Sequence, residues 1–167
     1  MGLFSSKAKK NFFDLLGIKI DSSIEDNLIE SDKTDNFTDY TCDIQENFKL
    51  VDSVTFRFFG HKKDLSGNES FNLIFQNKGQ SITINKVKEI VNAISNEYGK
   101  DRRGNSKWTN DDDNSISTYW EGREWIVDQK GNTHNDLKEN CAQVNFLFNV
   151  DDGIDFSVLG ANNLIKR

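Results

Sequence analysis

One stretch near the end of the chain constrains the fold more than any other. Val144, Phe146, Phe148 and Val150 take every second position, and Ile154, Phe156 and Val158 do the same after Asp151-Asp152-Gly153. A period of two places all seven side chains on one face of two antiparallel strands. A three-residue loop with Gly153 in the left-handed region would set Val150 opposite Ile154 and Phe148 opposite Phe156. The other face carries Asn145, Asn149, Asp155 and Ser157 and is expected to be wet.

Such a hairpin cannot bury its apolar face alone. The rest of the chain supplies cover. Val54, Phe56 and Phe58 alternate, as do Phe71, Leu73 and Phe75, which predicts a second hairpin ending at Asn77-Lys78-Gly79. Ile84, Val87, Ile90, Val91, Ile94 and Tyr98 recur at helical spacing, and Gly99 stands where a helix C-terminal cap belongs. Trp120-Glu121-Gly122-Arg123-Glu124-Trp125 reads as a two-residue type II′ turn. That turn would place Trp120 opposite Trp125 and Tyr119 opposite Ile126.

The expected architecture is therefore α+β. An antiparallel sheet of about six strands carries one amphipathic helix on one face, with a short N-terminal helix before it. We divide the chain into a basic helix and acidic lead-in over 1–38 and a single α+β domain over 39–167.

Composition sets further bounds. Thirteen Phe and three Trp are too much apolar surface for a disordered chain. Proline is absent, where average usage would give roughly eight. With twenty Asn, this bias suits an AT-rich genome such as that of a low-GC bacterium or phage. The 27 acidic and 21 basic residues leave a net charge of −6, which argues against a nucleic-acid partner.

That charge is unevenly spread. Residues 20–48 hold nine acids (Asp21, Glu25, Asp26, Glu30, Asp32, Asp35, Asp39, Asp43 and Glu46) against Lys33, a local net of −8. The segment reads as a solvated lead-in, with a strand starting near Asp39. Before it, Lys7, Lys9 and Lys10 precede Phe12, Phe13, Leu15 and Leu16, which predicts an amphipathic helix from Ser6 to Leu16 stopped by Gly17. It is expected to dock on the domain; a membrane-surface anchor is the sharper alternative. Asp14 and Lys19 interrupt the apolar run and no small-residue cleavage site follows, so a cytoplasmic location is expected. No run reaches the roughly 20 apolar residues of a membrane-spanning helix.

The usual catalytic patterns are missing. The glycines form neither a phosphate-binding loop nor a dinucleotide fingerprint. His61 and His134 lack a neighbouring nucleophile elbow. Cys42 and Cys141 form no metal-ligand pattern and are expected to be buried reduced thiols. No catalytic residue, metal site or cofactor is assigned.

One region gathers chemistry-bearing side chains. Asn110-Asp111-Asp112-Asp113-Asn114 partly matches a calcium loop, with Asp112 third, Asn114 fifth and Glu121 twelfth. Asn110 replaces Asp at position one and Ser115 replaces Gly at position six, so a solvated acidic loop is the plainer reading. Trp108, Asp111, Asp112, Asp113, Trp120, Glu121 and Glu124 are the candidate partner-binding residues. Exposed aromatics beside carboxylates serve as anchors for a protein surface, while at least two of Trp108, Tyr119, Trp120 and Trp125 are expected in the core. Tyr119 and Trp120 must point to opposite faces of an extended segment, so one of them is expected at the surface.

The functional expectation is a non-enzymatic protein-interaction module. Its specific version is an acidic inhibitor or immunity-type protein covering a cationic partner. The alternatives are an enzyme of unfamiliar type using carboxylates of residues 110–124, and a peripheral membrane protein held by its N-terminal helix.

Overall fold

The computed structural model describes residues 9–16, 22–43, 53–66, 68–76, 82–116, 118–149 and 153–165. The eight strands among them form one antiparallel sheet: β1 Ile29–Lys33, β2 Thr38–Asp43, β3 Ser53–Phe58, β4 Phe71–Gln76, β5 Arg123–Asp128, β6 Thr133–His134, β7 Cys141–Asn149 and β8 Gly153–Leu159. Their order is β1-β2-β3-β4-β8-β7-β5-β6. The α+β class holds, with eight strands in place of about six. The strand expected at Tyr119-Trp120 does not form, and the one expected near Asp39 is β2. The strands that were not expected are β1, all of whose residues are exposed, and β6, which has two residues. Neither has a buried alternation to announce it.

The apolar face is a set of rows running across the strands. One row passes Cys42, Val54, Phe75, Phe156, Phe146 and Arg123 as successive cross-strand partners. Phe75 stacks on Phe156, and Phe156 on Phe146, with ring centroids 4.3 Å apart in each pair. The β7–β8 hairpin pairs Phe148 with Ile154 and Phe146 with Phe156, two residues from the expected register. A slip of two keeps every side chain on its face, so alternation cannot distinguish these registers. The aromatic stack distinguishes them. Val150, Asp151 and Asp152 lie outside the described residues, as does the Asn77-Lys78-Gly79 turn. The expected β3–β4 hairpin pairing is present, and its register sets Val54, Phe56 and Phe58 opposite Phe75, Leu73 and Phe71.

α3, Ile84–Tyr98, joins the same core through Val87, Ile90, Val91, Ile94 and Tyr98, as its spacing predicted. Gly99 ends it at φ 87°, a region that favours glycine. The N-terminal helix, α1, spans Phe12–Leu16 and buries Phe12, Phe13 and Leu16. The Asn11 side chain accepts from Phe13 N at 3.0 Å, which caps the helix. Its Nδ2 donates to Leu164 O at 2.8 Å, in a 3-10 turn over Ala161–Leu164. Tyr98 Oη donates to Lys10 O at 2.8 Å and fastens the lead-in to α3. The expected helix start at Ser6 and its Gly17 stop fall outside the described residues.

The acidic lead-in is structured where it is described. α2, Ser22–Asn27, precedes β1, and β1 and β2 make a hairpin at the end of the sheet. A row of hydroxyls stitches the opposite sheet face there. Ser31 Oγ lies 3.0 Å from Thr41 Oγ1, Thr41 lies 2.9 Å from Thr55 Oγ1, and Thr55 donates to Gln76 Oε1. That face is polar but not uniformly wet: Asn145 is buried, whereas Asp155 is exposed. Cys42 and Cys141 are free and buried.

Candidate functional site

The residues singled out around 108–124 come together, but mainly toward the interior. Thr109 and Asp112 form a capping box at the start of α4, Asn110–Ser115. Asp112 Oδ2 accepts from Thr109 N at 2.8 Å and from its hydroxyl at 3.0 Å. Trp120 Nε1 donates to Asp112 Oδ1 at 2.9 Å. Arg123 Nη2 lies 2.5 Å from each oxygen of the same carboxylate. Burial pushes the Asp112 carboxyl up, but the bonds from Trp120 and Thr109 and the guanidinium hold it below the usual carboxylate range.

Arg123 is the residue that reading the sequence missed. It occupies the first position of β5, opposite Phe146, and points to the core side of the sheet. Asp101 Oδ2 lies 3.9 Å from its Nε, which makes no hydrogen bond among the described residues. Asp101 is fixed by Arg103 N at 3.0 Å and Asn105 N at 2.7 Å. One buried cation thus sits between two buried carboxylates, which is how a charge persists in a core.

This cluster corrects two expectations. Gly122-Arg123 is not a hairpin turn. Gly122, at φ 80°, lies so close to β7 that a Cβ there would stand 2.1 Å from Phe146 O. Trp125 therefore faces Val144 of β7 in place of Trp120. Residues 110–114 are also not the solvated acidic loop expected, because they belong to α4 and Asp112 is buried, its oxygens bonded to Thr109, Trp120 and Arg123.

The remaining candidates divide. Trp108 and Trp120 pack with ring centroids 5.4 Å apart and are 8% and 7% exposed, so neither ring is displayed. Tyr119 is 74% exposed, which meets the expectation that one of the Tyr119–Trp120 pair faces outward. Asp113 accepts from Trp108 Nε1 at 2.7 Å and pairs with Lys88 at 3.2 Å; both contacts hold its carboxyl below the usual range. Glu124 accepts from Arg102 at 2.8 Å and from Gln143 at 2.9 Å on the polar face. Glu121 meets Arg103 at 3.3 Å, and Asp111 is exposed. Asp112, Asp113, Glu121 and Glu124 are thus shared among separate basic partners.

A second set of exposed acids lies at the other end of the sheet. All of β1 is exposed, with Ile29 at 73%, and Glu30 and Asp32 are displayed along it. Asp26 and Asp35 are exposed on either side of the strand. Asp39, on β2, is instead neutralised. Arg57 Nε and Nη2 grip its two oxygens at 2.9 and 2.8 Å while the guanidinium lies over the Phe37 ring. His61 braces the hairpin loop, with Nδ1 2.9 Å from Thr38 Oγ1 and Nε2 3.1 Å from Asp35 O. The acidic edge therefore rests on a fixed support.

A groove of about 490 Å³ opens beside the β5–β6 turn, lined by residues that include Asp128, Lys130, Asn132, Glu139 and Asn162. Asp128 accepts from Lys130 N, Asn132 N, Asn132 Nδ2 and His134 Nε2. Burial opposes ionisation there, and the Asn132 and His134 bonds outweigh it, so the carboxyl lies below its usual range. Asp128 is thus committed to shaping the turn. No group of three or more His, Cys, Asp or Glu among the described residues could hold a metal ion. No described helix is long and apolar enough to cross a membrane. The chain matches no family model, no curated protein and no solved structure.

Proposed function

We propose that the chain is a non-enzymatic protein-interaction module that receives a basic partner on its acidic edge. The observation that carries this reading is β1: an edge strand exposed along its whole length, bearing Glu30 and Asp32 against the single base Lys33 and flanked by Asp26 and Asp35. Clustered acids of one sign steer a cationic partner and speed association. An acidic inhibitor or immunity-type protein covering a cationic surface is the specific form of this reading.

The alternatives draw less support. Asp112, Asp113, Glu121 and Glu124 are tied to separate basic residues and tryptophans, which leaves an enzyme little to work with there. Phe12, Phe13 and Leu16 are buried, so they are not displayed for a bilayer.

The test is affinity capture from an extract of the source cell. The wild-type chain is compared with a Glu30→Lys, Asp32→Lys, Asp35→Lys variant, at low and high salt. The expected result is a basic protein retained by the wild type, released by salt and absent from the variant. Capture indifferent to both charge reversal and salt overturns the reading.

A further inference from the structure

We propose that the outer edge of β1 takes an extended basic segment of the partner as an added strand. This rests on the reading of the chain as a module for a basic partner and specifies how that partner is held.

β1 closes the strand order, so no described strand pairs with its outer row of backbone N–H and C=O groups. Exposed edges of this kind are templates for another strand. The charges select what can add. The bulge at Ser31 leaves Glu30 on the face of Tyr40 and Asp32 on the face of Asp39, so each face of the edge carries one acid. A second copy of β1 would bring the same acids against this edge, which like charge opposes. A segment with Lys or Arg on both of its faces is attracted instead, and Asp26 and Asp35 extend the attraction beyond each end of the strand, with Lys33 the one base along it. Ile29, 73% exposed, offers an apolar contact beside the charges.

The register of β1 on β2 is irregular between Glu30 and Asp32. Such a bulge twists an edge and discourages the docking of a flat second sheet. What it admits is a short flexible segment. Five residues of strand span about 17 Å, so the segment is about five residues long.

The experiment titrates the full chain with the eight-residue peptide Lys-Lys-Val-Val-Lys-Lys-Val-Val, which carries Lys on both faces of an extended strand, followed by amide resonances and hydrogen exchange. Two comparison peptides are used. One replaces Lys with Glu. The other keeps Lys but carries backbone N-methyl groups at alternate positions, prepared in both phases. The expected result is binding of the Lys peptide with slowed exchange within Ile29–Lys33. N-methylation in one phase should weaken binding by about tenfold or more, because it removes main-chain donors and leaves charge intact. The Glu30→Gln, Asp32→Asn variant should weaken it by about three- to tenfold, as expected for two exposed charge pairs.

If both N-methylated peptides bind like the parent while the charge-neutralised variant still loses affinity, strand addition is overturned and the acidic reading stands. If Lys and Glu peptides bind alike, or neither slows exchange in β1, strand addition is overturned as well. Salt-sensitive capture of a basic protein that is lost in the Lys-substituted variant would still uphold the broader reading.

Discussion

Removing the Asp112 carboxylate is the sharpest perturbation of the interior cluster. In the Asp112→Ala variant the Arg123 guanidinium keeps only Asp101, 3.9 Å away, as a counter-charge. Its side chain is 6% exposed, so water cannot take over. Breaking a buried ion pair from one side costs about 3–5 kcal/mol, because the surviving charge is uncompensated. The same change removes the α4 capping box, alone worth about 1 kcal/mol, and the acceptor for Trp120 Nε1. These losses share one side chain and do not simply add. We expect a destabilisation of about 4 kcal/mol. For a chain of this length that lowers Tm by roughly 8–16 °C.

Thermal and urea unfolding, followed by Trp fluorescence, would measure it, since Trp108 and Trp120 pack beside the lost group. The cycle is completed with Arg123→Met and the double variant. Replacing both charges leaves no orphaned ion, so the double variant should be more stable than the sum of the single losses predicts. A loss under about 1 kcal/mol for Asp112→Ala, or strict additivity in the cycle, would refute the account of Arg123 as a core cation held by Asp112.

Three further predictions concern separate parts of the fold. Gly122→Ala should cost more than about 1 kcal/mol in urea unfolding, because φ 80° disfavours a side chain and the added Cβ meets Phe146 O; wild-type stability would contradict the close β5–β7 approach. Burial and the neighbouring Asp43 push the Cys42 thiol up to about 11, so at pH 8 it should resist a thiol reagent until the chain unfolds; rapid native-state labelling of Cys42 would contradict its burial. Asp112, Asp113 and Asp128 have lowered pKa values, so their stabilisation is present above the unfolded carboxylate value near 4 and is lost as pH falls through the folded values. Acid unfolding should therefore begin below about pH 4, and Asp128→Asn should flatten that limb; an unchanged slope would remove Asp128 from the account.

Much of the sheet could be read from the residues because burial writes itself as period two. Val54, Phe56 and Phe58 and their partners on β4 declared the face and the pairing of the two strands. Phe146, Phe148, Phe156 and Val158 declared the face but not the register, since a slip of two residues preserves the face. β1 could not be read this way. A strand held by backbone bonds and exposed at every position has no buried alternation, and its acids resemble those of a solvated loop. Arg123 was hidden for the opposite reason: a charged residue at a strand start reads as surface until two distant carboxylates are placed beside it. The Thr109-x-x-Asp112 spacing did carry a capping signal, which marks α4 as a helix start where the run of acids suggested a loop. That at least two of Trp108, Tyr119, Trp120 and Trp125 belong to the core could be read, but nothing local shows that Trp108 and Trp120 pack against each other.

The central claim, that the acidic edge strand receives a basic partner, is tested most directly by position-specific photo-crosslinking in the source cell. A photoreactive residue would be placed at Glu30, and in a separate chain at Leu137, which is 59% exposed on the β6–β7 connection. The account predicts a crosslinked basic protein from position 30 and none from position 137, with the position-30 adduct lost when Asp32 and Asp35 are changed to Lys. A partner crosslinked from position 137 alone, or an adduct at position 30 that survives charge reversal, would contradict it.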